Sequence, residues 1–118
     1  MLFTVFKRER RFLMGKTFFT ITGTSHYYGQ DFFEPKMTVK LVKETDNEAD
    51  KEAIRVELEG LGLVGYVANS PYTVLGDSYS AGRLYDKIGD TAEGTVLYVL
   101  PRGVLCYVNE KDVREEHV

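Results

Sequence analysis

The stretch Leu41–Val67, LVKETDNEADKEAIRVELEGLGLVGYV, decides the fold. Two runs of strand-forming residues flank a polar knot, Thr45-Asp46-Asn47-Glu48-Ala49-Asp50, and a glycine-marked turn then leads into a third run. In Ala53–Leu58, Ile54, Val56 and Leu58 point one way and Arg55 and Glu57 the other, the period of a half-buried strand. Gly60-Leu61-Gly62 supplies the turn and Leu63–Val67 returns, so these two strands form a hairpin. Asn and Asp cap turns with their own side chains, so the knot reads as a structured polar loop. Loops of this kind on a rigid β scaffold commonly carry binding function.

Working outward, Lys36–Lys43 alternates as well. Met37, Val39 and Leu41 lie on one face and Lys36, Thr38 and Lys40 on the other, with Val42 falling on the polar face. Thr17–Thr22, TFFTIT, is aromatic and β-branched and reads as a strand. Between the two lies a glycine-bracketed loop, GTSHYYG, from Gly23 to Gly29. Gly94–Leu100 and Gly103–Asn109 read as the last two strands, joined by Pro101-Arg102. In the segment between, Asn69 or Ser70 caps a short helix with Pro71 in its first turn. A second helical piece, Ser78–Ile88, places Ala81, Leu84, Tyr85 and Ile88 on one side, with Gly82 weakening it.

The sum is a mainly β chain of six antiparallel strands, with a short helical insertion before the last two. Short strands in a chain this size close on themselves or expose edges, and a small barrel of the OB-like or SH3-like kind is the economical solution. The expected organisation is an N-terminal arm over residues 1–15, a barrel domain over 16–110 and a charged tail over 111–118. Lys7, Arg8, Arg10 and Arg11 give the arm a basic cluster. It reads as a strand, a disordered arm, or an upstream extension with a working start at Met14, and a solvated tail is favoured over an arm that touches phosphate.

Composition narrows the function classes. The 118 residues are 43% hydrophobic and 28% charged, ordinary for one globular domain, and the net charge of −3 advertises no polyanion partner. One cysteine, Cys106, forms no internal disulfide, which fits a reducing compartment; a cytoplasmic location is expected. No apolar run approaches the roughly 20 residues that span a bilayer, so no membrane partner is expected.

Catalysis is a poor fit. Cys106 lies in the apolar run VLCYV, where a buried, inert thiol is the usual outcome. His26 and His117 share no metal-ligand spacing with it, and no Walker pattern is present. No metal, cofactor or enzymatic activity is expected. Binding fits better. His26, Tyr27 and Tyr28 put two phenol rings and an imidazole in one loop, and aromatic faces stack on any nucleobase. Lys40, Lys43 and Arg55 lie on the second strand and its hairpin partner, a small set of cations able to meet phosphate. The same features also serve solubility and the core rim, and a protein-interaction or self-association module on the same barrel is the alternative.

Four motifs in order carry a resemblance: Gly23–Gly29 (GTSHYYG), Val39–Glu44 (VKLVKE), Asn47–Val56 (NEADKEAIRV) and Gly62–Val67 (GLVGYV). Together, over roughly Lys16–Val108, they resemble the HIRAN domain. Such domains occur in helicase-like remodelling ATPases and as free-standing bacterial proteins. The resemblance implies an OB-like barrel that recognises the 3′-hydroxyl end of single-stranded DNA at stalled forks or in repair. A helicase or nuclease acting in trans is an expected partner. By position, Tyr27 matches a base-stacking tyrosine, and Asn47 and Asp50 match the polar pair near the terminal nucleotide. A terminal hydroxyl donates to a carboxylate such as Asp50, whereas an internal phosphate there is repelled. Two departures stand out. Ser25-His26-Tyr27 replaces the binder's Arg-Tyr-Tyr, and Asn47-Glu48-Ala49-Asp50 replaces Asn-Pro-Tyr-Asp.

Overall fold

A computed structural model describes residues 15–114. Six strands form: β1 (Phe18–Thr22), β2 (Thr38–Lys43), β3 (Ile54–Leu58), β4 (Gly62–Val67), β5 (Thr91–Leu100) and β6 (Gly103–Val108). One short helix, α1 (Ala81–Tyr85), precedes β5, and single 3-10 turns lie at Thr24–His26 and Glu110–Asp112. The strands close in the order β1-β4-β3-β2-β5-β6, with every neighbouring pair antiparallel and β6 returning to β1. Closure removes the unpaired N–H and C=O rows that an open sheet would expose.

Strand period two sends one side of each strand into the barrel. Phe19, Ile21, Leu41, Ile54, Val56, Val64 and Val104 are fully buried. At about 25 cal/mol per Å² of apolar area, such burial is the main force holding the domain together. Close packing explains Gly65 on β4. A Cβ there would lie 2.8 Å from both Ile21 Cγ2 and the Thr22 carbonyl, so β1 and β4 approach to a distance only glycine allows.

Several expectations shift by a few residues. The second strand begins at Thr38, and Lys36 sits in the turn before it with φ 77. Its N–H donates to Val96 O at 2.7 Å, so Lys36 does not share the outer face of β2 with Lys40. The fifth strand starts at Thr91, three residues before Gly94, because Thr91, Ala92 and Glu93 pair with Val42, Leu41 and Lys40.

The first helical piece is only a turn. Ser70 Oγ accepts from Tyr72 N, and Ser70 O accepts from Thr73 N and Val74 N. Gly76, at φ 52, ends the segment before a helix can propagate. Asn69 does not cap it; its Oδ1 instead accepts from Gly82 N at 2.9 Å. The second piece is shorter than Ser78–Ile88 because Ser78 and Tyr79 serve the sheet. Ser78 Oγ is 2.9 Å from Thr20 Oγ1, and Tyr79 bridges Phe19 in parallel. Ser80 caps α1 by accepting from Arg83 N, and Leu84 and Ile88 are fully buried in the hydrophobic core.

Of the charged C-terminal segment, the described part packs down. Asp112 Oδ2 accepts from Glu93 N at 2.8 Å and Arg114 N donates to Lys87 O at 2.7 Å. The basic cluster Lys7–Arg11, Met14, and residues 115–118 with His117 lie outside the described residues. Cys106 is fully buried, and that burial pushes its thiol far above the ordinary cysteine range. Among the described residues no helix is long and apolar enough to cross a membrane.

Candidate nucleic-acid interface

The aromatic loop is bracketed by glycines because the chain must turn left-handed at both ends, with φ 73 at Gly23 and 80 at Gly29. Within it, Thr24 O accepts from both Tyr27 N and Gly29 N, at 3.0 and 2.9 Å. That tight turn pushes the following side chains outward. Tyr27 is 40% and Tyr28 57% exposed, and His26 is exposed beside them. The two rings diverge. Tyr27 leans over Tyr66 of β4, centroids 6.5 Å apart at 45°, whereas Tyr28 meets the Phe32 ring edge-on at 6.4 Å.

The polar loop consumes most of its own polar groups. Asn47 Oδ1 accepts from Ala49 N at 3.1 Å and Asp50 N at 2.9 Å, while Asn47 Nδ2 donates to Glu44 Oε1 at 3.1 Å. Asp50 Oδ1 accepts from Glu52 N at 3.0 Å, and Glu44 N reaches across to Ala53 O at 2.9 Å. Asp50 is half-buried, and its second carboxylate oxygen has no partner among the described residues.

Tyr66 joins the two loops. Its hydroxyl donates to Glu44 Oε2 at 2.8 Å, and the same Glu44 holds Asn47. Burial first, and then the bond to the Glu44 carboxylate, push the Tyr66 phenol up to about 12. Arg55, opposite Tyr66 in the β3–β4 register, lies 3.8 Å from Glu44 Oε2. Its Nε is also 2.7 Å from Glu57 Oε2, close enough for an ion pair but not aligned as a hydrogen bond. Thus Tyr27, Asn47, Asp50 and Arg55 gather at one end of the barrel, with Arg55's charge already answered by two carboxylates.

The two lysines lie elsewhere. Lys43 has the inward parity of Val39 and Leu41 and is half-buried. Its ammonium donates to Ile88 O at 2.9 Å and sits 4.3 Å over the Tyr85 ring. Burial, and then the Arg114 guanidinium, hold that ammonium below the usual lysine range. Lys40 faces outward between Glu57 on β3 and Glu93 on β5. It lines a groove of about 670 Å³ whose charged walls carry four carboxylates (Glu57, Glu59, Glu93, Asp112) against Lys40 and Lys111. This groove includes neither Tyr27 nor Asn47, and its charge disfavours phosphate.

Glu44 and Tyr66 are the residues that reading the sequence misses. A signal existed in strand parity: Tyr66 sits opposite Arg55, Arg55 opposite Val42, and Glu44 follows Val42 on the same outer side. Among the described residues no cluster of His, Cys, Asp or Glu has the arrangement of a metal site.

A closed six-stranded barrel with a ring-bearing loop and a self-capped polar loop at one end defines a small β-barrel binding module. The family model of the HIRAN domain matches residues 14–111, and the chain belongs to that family. HIRAN domains are nucleic-acid-binding modules, a family of binders rather than of enzymes. The crystal structure of the HIRAN domain of human HLTF is similar in fold, with a TM-score of 0.52 and 19% sequence identity. The likeness covers 82% of this chain and 78% of that one. No curated protein matches the chain.

Proposed function

We propose that this domain binds single-stranded DNA at its 3′-hydroxyl end. The observation that carries this reading is the Tyr27–Tyr66–Glu44–Asn47 chain of contacts, which brings the ring-bearing loop and the Asn47–Asp50 loop to one surface. Tyr27, backed by Tyr66, offers a face to the terminal base, and stacking on such a face contributes about 1–3 kcal/mol per base. Asp50 accepts from the terminal 3′-hydroxyl with the carboxylate oxygen the loop leaves unpartnered. Asn47 keeps the loop in shape. His26 and Tyr28, exposed on the same loop, extend the stacking surface toward preceding bases.

Local charge favours an end over an internal stretch. The polar loop carries Glu44, Asp46, Glu48 and Asp50 within seven residues, and Arg55 is already paired. A phosphate seated among these carboxylates is repelled, whereas a hydroxyl is a donor they accept. The given sequence carries no Walker pattern, and in this reading the domain supplies binding while a helicase or nuclease acting in trans works on the strand.

Fluorescence anisotropy with labelled oligonucleotides at low salt tests the reading. The expected result is micromolar binding to a free 3′ end that weakens roughly tenfold or more on 3′ phosphorylation, the cost of losing a hydrogen bond to a charged group. Equal affinity for both ends refutes end recognition. No binding at all at low salt, where charge is least screened, favours the interaction module. The sequence pI near 5.4 suits that rival. Its edge-pairing form does not suit the barrel, because among the described residues closure leaves no free strand edge.

A further inference from the structure

Glu44 follows the last residue of β2, and both of its main-chain groups are held. Its N–H donates to Ala53 O at 2.9 Å, and its carbonyl accepts from Asn47 N at 3.3 Å. With the backbone pinned, strand parity sets the direction of the side chain, which is only 15% exposed. Both carboxylate oxygens are then occupied. Oε2 takes the Tyr66 hydroxyl at 2.8 Å and lies 3.8 Å from the Arg55 guanidinium, while Oε1 takes the Asn47 amide at 3.1 Å. A carboxylate so fully engaged is poorly placed to meet a ligand and well placed to hold other groups still. Among the described residues, its side chain is the group that bonds both to the ring platform and to the polar loop.

We infer that Glu44 is the positioning residue of this site. One oxygen fixes the platform beneath Tyr27 and the other fixes the loop that carries Asp50, so the two halves keep one relative geometry and read a strand end together. The ligand part of this inference rests on the end-recognition reading; the positioning part stands without it. If Glu44 acts this way, Tyr27 and Asp50 are energetically coupled although no contact joins them, and the coupling runs through this carboxylate. Groups that act as a unit give losses smaller than the product of the separate losses.

Two variants of the full chain separate positioning from space filling. Glu44→Gln keeps an oxygen that accepts from Asn47, and Glu44→Met keeps the bulk without any acceptor. The first measurement needs no DNA: NMR amide exchange at Ala49 and Asp50, the two donors to Asn47 Oδ1, with Val56 and Val64 reporting on the barrel. In Glu44→Met the loop amides are expected to exchange about 3–10-fold faster, the fold-change for losing one ordinary hydrogen bond, while the barrel amides hold. In Glu44→Gln the loop amides stay near the wild-type rate. Equal rates in the Met and Gln variants, with the barrel intact, overturn the inference.

The second measurement is a cycle of Tyr27→Ala and Asp50→Ala against a 3′-hydroxyl oligonucleotide, in the wild type and in Glu44→Met. The double variant is expected to lose less affinity than the product of the two single losses in the wild type, and the full product in Glu44→Met. A full product in both backgrounds overturns the coupling. Should the 3′-hydroxyl and 3′-phosphate strands bind alike, end recognition fails while the exchange result still decides the role of Glu44.

Discussion

The loop from Gly23 to Gly29 and the loop from Glu44 to Ala53 reach the same end of the barrel by different means. The first is held almost wholly by its backbone. Thr24 O gathers two N–H groups, two left-handed glycines set the bends, and the rings are left outside. The second is held by side chains. Asn47 makes three hydrogen bonds and Asp50 one, so its polar groups build the loop before they meet any ligand. Contact area and geometry are therefore supplied by different residues. Substitutions in the first loop should change affinity and spare stability, and substitutions in the second should change both.

The largest expected effect breaks the comparison by removing the scaffold both loops share. Leu41 is fully buried on β2, and Leu41→Ala is expected to cost about 2–5 kcal/mol in urea unfolding, the range for truncating a core leucine. A loss below that range would mean the loops, and not the barrel, carry the stability. Next, Tyr27→Ala should lower affinity for single-stranded DNA by about 1–3 kcal/mol in anisotropy titrations. Its unfolding free energy should stay within about 0.5 kcal/mol of wild type, as for other surface changes. Equal losses in both measurements would erase the distinction between the loops.

Asn47→Ala should lose about 1–2 kcal/mol of stability, because it removes a cap that satisfies two backbone donors. It should weaken end binding as well; an effect on affinity alone would mark Asn47 as a ligand contact instead. The smallest effect is a pH dependence at the joint between the loops. Tyr66 titrates at about 12 in the fold against 10.0 for the free side chain. The folded form thus holds its proton longer, and the stability gained from Tyr66 is fully present below 10 and lost as pH rises toward 12. Urea midpoints of wild type and Tyr66→Phe should therefore converge over that interval. A constant gap would contradict the upward shift that desolvation and the bond to Glu44 give the Tyr66 phenol.

Much of the barrel was legible because alternation is a local signal. Ile54, Val56 and Leu58 are buried while Arg55 and Glu57 are half-exposed, as period two requires. The start of β5 was hidden because Thr91-Ala92-Glu93 has little strand character alone and becomes a strand by pairing with β2. The helix before β5 is shorter than its periodicity predicts because Ser78 and Tyr79 bond to β1, almost sixty residues away in the chain. Tyr27, Asn47, Asp50 and Arg55, candidates that the sequence offers, share one end of the barrel. Lys43, a phosphate candidate by its place at the end of the second strand, lies instead against Tyr85, because one step along a strand turns a side chain to the other face.

By itself the sequence determined the middle of each strand, the hairpin at Gly60–Gly62 and the self-capping of the polar loop, because these depend on alternation, backbone freedom and hydrogen bonds within a few residues. Only the tertiary structure decided which loops share a surface and which charges are already paired. Closing the barrel sets β1 beside β4 and β4 beside β3, and that register puts Tyr66 between Thr22 and Arg55. The joint between the loops forms there because its members come from strands far apart in the chain, brought within bonding distance by the burial of the core.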